Sequence, residues 1–124
     1  MQQAVKVGTF NRYVFLALCT AVTLLSLVPG SDSVSLGYSD KVAHFGMYAV
    51  LTGVALVPRP VFGTVMRSVV FVVLYGGVME LAQLLVPFRD SSWFDFGANT
   101  LGVISVWLLV HVGIVRSEVV RSTA

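Results

Sequence analysis

Glu80 is the only formal charge in the apolar run 68–88. A carboxylate inside such a run costs a few kcal/mol on membrane-insertion scales, so it faces a partner or a wet cavity rather than hydrocarbon. Gly76, Glu80 and Gln83 follow at i, i+4 and i+7, which places them on one helical face with a glycine gap a turn below the acid. A second polar set opens the preceding apolar run: Asp40, Lys41 and His44, with Asp40 and His44 at i, i+4. A third set, Asp95 and Asn99, opens the following run with the same spacing. Glu80 and His44 are the residue types that serve as general acid or base, although no nucleophile motif accompanies them. Each residue also has a plain structural role beside the chemical one. Asp40 and Asp95 suit helix N-caps, Lys41 a snorkelling anchor, Asn99 and Glu80 interhelical hydrogen bonds, and Arg89 a solvated loop charge.

The elements that position these residues follow from charge and composition. The chain of 124 residues is 56% apolar and only 11% charged, with a mean hydropathy of +0.88. A soluble domain carries roughly 25% charged residues, so this composition excludes a disordered chain and argues against a soluble fold. The net charge is +2, and the basic residues form no run long enough for a nucleic-acid footprint. A single cysteine, Cys19, excludes an intrachain disulfide. Runs 13–31, 42–58, 68–88 and 96–115 hold no formal charge other than Glu80, and each approaches the roughly 20 residues a helix needs to cross hydrocarbon. The expected elements are four transmembrane helices at about 12–29, 41–58, 66–86 and 96–115. No run alternates as a barrel strand must, which leaves helices as the way to satisfy backbone groups in lipid. Pro29-Gly30, Pro58-Arg59-Pro60 and Pro87 punctuate the helix ends. A cleaved signal peptide at the first run is disfavoured by Pro29 and by the lack of an A-x-A pattern.

Short connectors make sequential helices antiparallel neighbours, so the expected fold is an all-α antiparallel bundle of four transmembrane helices in a single domain. Lys6, Arg12, Arg59, Arg67, Arg116 and Arg121 then fall on one side of the bilayer, and of the eight basic residues only Lys41 and Arg89 fall on the other. The positive-inside rule puts both termini in the cytoplasm. Asp40, Lys41, His44, Glu80, Gln83, Arg89, Asp95 and Asn99 thus share an outer depth, Glu80 lying on the order of 9 Å inside the end of its helix at 1.5 Å per residue. The N-termini of the second and fourth helices point their positive dipole ends at the same rim. Small-residue faces at Ala49-x-x-x-Gly53 and Ala98-x-x-x-Gly102 predict two sites of close helix approach. Trp107 and His111 read as residues of the interfacial belt.

The series of motifs resembles the VanZ-like family of small membrane proteins. The resemblance is carried by Asp40-Lys41-x-x-His44-Phe45-x-x-Tyr48, Gly76-x-x-x-Glu80-x-x-Gln83, Pro87-x-Arg89 and Asp95-x-x-x-Asn99-x-x-Gly102. It spans roughly residues 40–110, and the first helix matches only as an apolar span. It implies a multi-pass protein of the plasma (inner) membrane and links the family's namesake with low-level resistance to the glycopeptide teicoplanin. It supplies no reaction, so Asp40, Lys41, His44, Tyr48, Glu80, Gln83, Arg89, Asp95 and Asn99 enter as ligand-binding candidates.

Three functions fit. The first is binding of an anionic or zwitterionic lipid, a lipid-linked envelope component or a glycopeptide at the outer leaflet. The second is an enzyme acting on a lipid head group with Glu80 or His44 as acid or base. The third is a structural membrane subunit. A metal site built from His44, Glu80 and Asp95 is set aside for want of a close-spaced ligand pair, and no metal or cofactor is assigned.

Overall fold

A computed structural model describes residues 2–28, 37–87 and 91–122. Arg89 lies outside them. The described residues form four helices and no strand: α1 (Gln2–Ser26), α2 (Gly37–Leu56), α3 (Val65–Gln83) and α4 (Trp93–Ser122). Helix number and order match the expectation from the apolar runs, but the boundaries do not. α1 begins ten residues before the expected start at 12, and α4 runs seven beyond 115. The reason is that a helix needs its apolar stretch only where it meets hydrocarbon; polar turns continue it at no penalty in water.

The caps also differ. Asp40 lies within the first turn of α2 rather than at its cap. Asp95 is the third residue of α4, and Ser92 holds the capping position, its Oγ accepting from the Phe94 N–H at 3.1 Å and its carbonyl from the Asp95 N–H at 3.0 Å. Thr64 caps α3 by accepting from the Arg67 N–H at 3.2 Å. Both aspartates are therefore released from the capping duty that would have explained them.

Val7–Ser26, Val65–Gln83 and Trp93–Ser122 are each long and apolar enough to cross a membrane. α2, with 20 residues, is comparable in length, but Asp40, Lys41 and His44 dilute its apolar character. The burial pattern is that of a membrane protein. Leu16, Leu24, Leu74, Leu81, Leu84, Leu101 and Leu109 are exposed, whereas Asn11, Ser26, His44, Thr52, Ser68, Glu80, Gln83, Asp95 and Asn99 are buried. A soluble fold would reverse that arrangement.

α2 and α4 make the most extensive contact, and α2 and α3 each touch the other three helices. Tyr48, Leu51 and Ala55 of α2 pack with Val72 of α3, Val103 of α4, and Phe15 and Val22 of α1 in the core. The close approach of α2 and α4 depends on Gly102, where a Cβ would overlap the Phe45 carbonyl oxygen and lie 3.1 Å from the Ala49 N. Gly53 does not behave alike: a Cβ there meets nothing within 4 Å. The expected close approach at Gly53 is thus absent: the α2–α4 contact passes through Phe45 and Ala49, and Gly53, one turn farther along the same face, lies outside it.

α1 is fastened by polar contacts. The Asn11 amide donates to the Val54 and Arg59 carbonyls at 3.0 and 3.2 Å, and Arg12 Nε to the Val61 carbonyl at 3.2 Å. Farther along, Tyr75 donates its hydroxyl hydrogen to the Cys19 carbonyl at 2.7 Å and so accepts from Thr23 at 2.8 Å.

Candidate functional site

Helical repeats bring the polar residues to one place. On α2, Asp40, His44 and Tyr48 recur every four residues; on α3, Gly76 and Glu80; on α4, Asp95 and Asn99. The contacts show these faces meeting: Lys41 Nζ lies 3.4 Å from Asp95 Oδ1, and His44 Nδ1 lies 3.0 Å from Asn99 Oδ1. The first turns of α2 and α4 therefore stand side by side.

At the centre is a three-way contact of buried groups. The Asn99 amide donates to Glu80 Oε1 at 3.0 Å, which assigns its Oδ1 as the acceptor facing His44. His44 Nδ1 is 3.5 Å from the same Glu80 oxygen. Both neighbours of Nδ1 are acceptors, so Nδ1 carries the hydrogen. Nε2 is left on the outer side, 3.9 Å from Asp40 Oδ1. His44 and Glu80 are each 6% exposed and Asn99 2%; interhelical hydrogen bonding is what lets three such groups sit in an apolar bundle.

The outer layer is more open. Lys41 has a side chain 40% exposed and lies with its ammonium 6.0 Å from the Phe94 ring centroid. Asp40 is exposed, whereas Asp95 is buried at 4%. Asp95 Oδ1 has no hydrogen-bond partner; its ion pair with Lys41 at 3.4 Å is longer than the roughly 2.7–2.9 Å of a charge-assisted hydrogen bond. Among the described residues three carboxylates, Asp40, Glu80 and Asp95, gather around Lys41 and His44.

Of the ligand-binding candidates, Asp40, Lys41, His44, Glu80, Asp95 and Asn99 are thus brought together. Tyr48 lies one turn deeper, its ring against the position where a Gly76 Cβ would sit, 3.0 Å from that point, and its hydroxyl is buried without a hydrogen bond. The glycine gap below Glu80 is filled by this tyrosine. Gln83 faces elsewhere: its amide donates to the Ser26 carbonyl of α1 at 3.4 Å, a link between helix ends. Ser91 joins the site unannounced, donating to Glu80 Oε2 at 3.4 Å; nothing in its spacing marks it, since it reaches the acid from a connector. Asp40, His44 and Asp95 also offer donor atoms within 4.8 Å of one another, so the close-spaced pair missing from the set His44, Glu80 and Asp95 is Asp40 and His44 themselves. Trp107 is half-buried and His111 exposed, their rings 6.1 Å apart and distant in sequence from this cluster.

Comparison with protein-family models, with curated proteins and with solved structures returns no match.

Proposed function

We propose that this chain is a VanZ-like multi-pass protein of the plasma membrane that binds the phosphate-bearing head group of a lipid or lipid-linked envelope component at the outer leaflet. The carrying observation is the cluster itself. Asp40, Lys41, His44, Glu80, Asp95 and Asn99, drawn from three helices, converge on one rim where two helix N-termini also meet. These are the same residues that carry the family resemblance. A polar cluster of this cost in a chain whose exterior is apolar is expected to serve a ligand. An apolar groove of about 220 Å³ between α1 and α2, lined by Leu18, Val22, Gly46, Met47, Val50 and Leu51, offers an acyl chain a place.

In this reading the helices alternate in direction and both termini are cytoplasmic. Pairing of residue 44 with 80 and of residue 48 with 76 supports opposite directions for α2 and α3, and the distribution of lysine and arginine supports the orientation. Low-level resistance to teicoplanin is the phenotype such a site predicts if its ligand is an envelope precursor. The test is lipid analysis of the purified protein. Wild type should retain lipids with phosphate head groups above their share of the bulk membrane, and Lys41→Met with Glu80→Gln should lose that enrichment. Equal lipid profiles for wild type and the double variant would refute the proposal.

A second reading, chemistry on the head group, is favoured by one contact: Ser91 Oγ, a hydroxyl, lies 3.4 Å from Glu80 Oε2. Turnover of a purified lipid that disappears in Ser91→Ala while binding persists would establish it over simple binding.

A further inference from the structure

Three donors of metal-ligating type stand together at the rim. Asp40 and His44 project from successive turns of α2 and Asp95 from the first turn of α4, each presenting a donor atom within 4.8 Å of the other two. We propose that Asp40, His44 and Asp95 form a binding site for a divalent transition ion, with Zn²⁺ the best fit.

Two independent observations point to a cation. The first is the state of His44. Its Nδ1 hydrogen is directed at Asn99 Oδ1 and Glu80 Oε1, which turns the Nε2 lone pair toward Asp40. Metal-bound histidines are held in this way, with the ring nitrogen away from the metal donating to a carboxylate or carbonyl that fixes tautomer and orientation. The second is Asp95. Its side chain is only 6% exposed, yet Oδ1 lacks a hydrogen bond. The Lys41 ammonium lies 3.4 Å from it and is the cation with which an ion would compete.

The donor separations, none above 4.8 Å, require the carboxylates to draw in for a closed site. Zn–N and Zn–O bonds of about 2.0–2.2 Å set donor separations of about 3.3–3.6 Å in a tetrahedron. The His44 Nε2 to Asp40 Oδ1 distance is 3.9 Å, and the Asp40 side chain is 56% exposed and so has room to move. One nitrogen and two carboxylate oxygens suit Zn²⁺ or Mn²⁺ better than the all-oxygen sites of Ca²⁺ or Mg²⁺, and Zn²⁺ binds such a set more tightly than Mn²⁺. Three protein ligands leave a position open toward the exposed side of the rim, where a phosphate oxygen or water completes the shell. The site itself rests on side-chain geometry and is independent of the lipid reading.

Equilibrium dialysis of untagged, metal-stripped protein in detergent against Zn²⁺, with Co²⁺ absorption as a report on the donors, tests the site. Wild type should bind one ion per chain with a Co²⁺ spectrum of nitrogen and oxygen ligation. Asp40→Asn, an exposed position whose melting should match wild type, should weaken binding at least about tenfold, and Asn99→Ala should weaken it by roughly 10–100-fold through the histidine's support. Lys41→Met should tighten it by removing the competing ammonium. His111→Ala should change nothing. Absence of binding in folded wild type and Lys41→Met, or binding that follows His111 instead of Asp40, would overturn the proposal. Ion binding without lipid enrichment would leave it standing and refute the head-group reading.

Discussion

Replacing Gly102 and Gly53 by alanine separates a true helix contact from a motif that merely has the right spacing. Both glycines lie in helices, so both substitutions gain about 0.5–1 kcal/mol from backbone entropy and helix preference. That gain cancels in the comparison. What remains is the contact: a Cβ at Gly102 overlaps the Phe45 carbonyl oxygen and sits 3.1 Å from the Ala49 N, whereas a Cβ at Gly53 touches nothing within 4 Å. The obstacle is backbone, which cannot rotate aside as a side-chain tip does, so α2 and α4 must part. Overpacking of this kind costs about 1–3 kcal/mol. Gly102→Ala is therefore expected to be less stable than Gly53→Ala by about 1–3 kcal/mol, at least about a fivefold difference in the folded-to-unfolded ratio. Unfolding in mixed micelles titrated with SDS and followed by tryptophan fluorescence measures it. Equal midpoints for the two variants, or a higher one for Gly102→Ala, would refute the assignment of Gly102 to the α2–α4 contact.

Glu80→Leu should cost about 1–3 kcal/mol in the same titration, because it strips the acceptor from the buried Asn99 amide and from Ser91. Glu80→Gln should stay near wild type, since it keeps an acceptor oxygen; equal losses in both variants would show that charge rather than hydrogen bonding holds the core. Asn11→Leu should lower stability by about 1–3 kcal/mol by leaving the Val54 and Arg59 carbonyls without their donor, and an unchanged midpoint would mean that apolar contact alone holds α1. In a Cys19→Ser background, Ser39→Cys should react with an impermeant thiol reagent in intact cells and Ser122→Cys should not; the reverse pattern would move the site to the cytoplasmic leaflet.

The one-dimensional pattern determined what is local. Uncharged runs bounded by charges determined four helices, because the thickness of a bilayer converts length and polarity directly into elements. Four-residue spacing placed Gly76 with Glu80 and Asp95 with Asn99 on single faces, since the helical repeat is a property of the backbone. The cost of an intramembrane carboxylate turned Glu80 inward before any neighbour was known. Helix ends were less legible: a polar turn reads as loop until it is seen to continue a helix, as the starts of α1 and α2 and the end of α4 do, and Ser92 rather than Asp95 caps α4. Rotation of one helix against another was not legible at all. Ala49-x-x-x-Gly53 and Ala98-x-x-x-Gly102 have identical spacing, yet a Cβ would meet the neighbouring helix at Gly102 and nothing at Gly53. Gln83 shares a face with Glu80 but reaches α1, and Ser91 reaches Glu80 from a connector. The pairing of His44 with Asn99, 55 residues apart, and the resulting direction of its free ring nitrogen toward Asp40 were decided only by tertiary packing, because interhelical distances depend on the rotation and depth of each helix, which no spacing within one helix encodes.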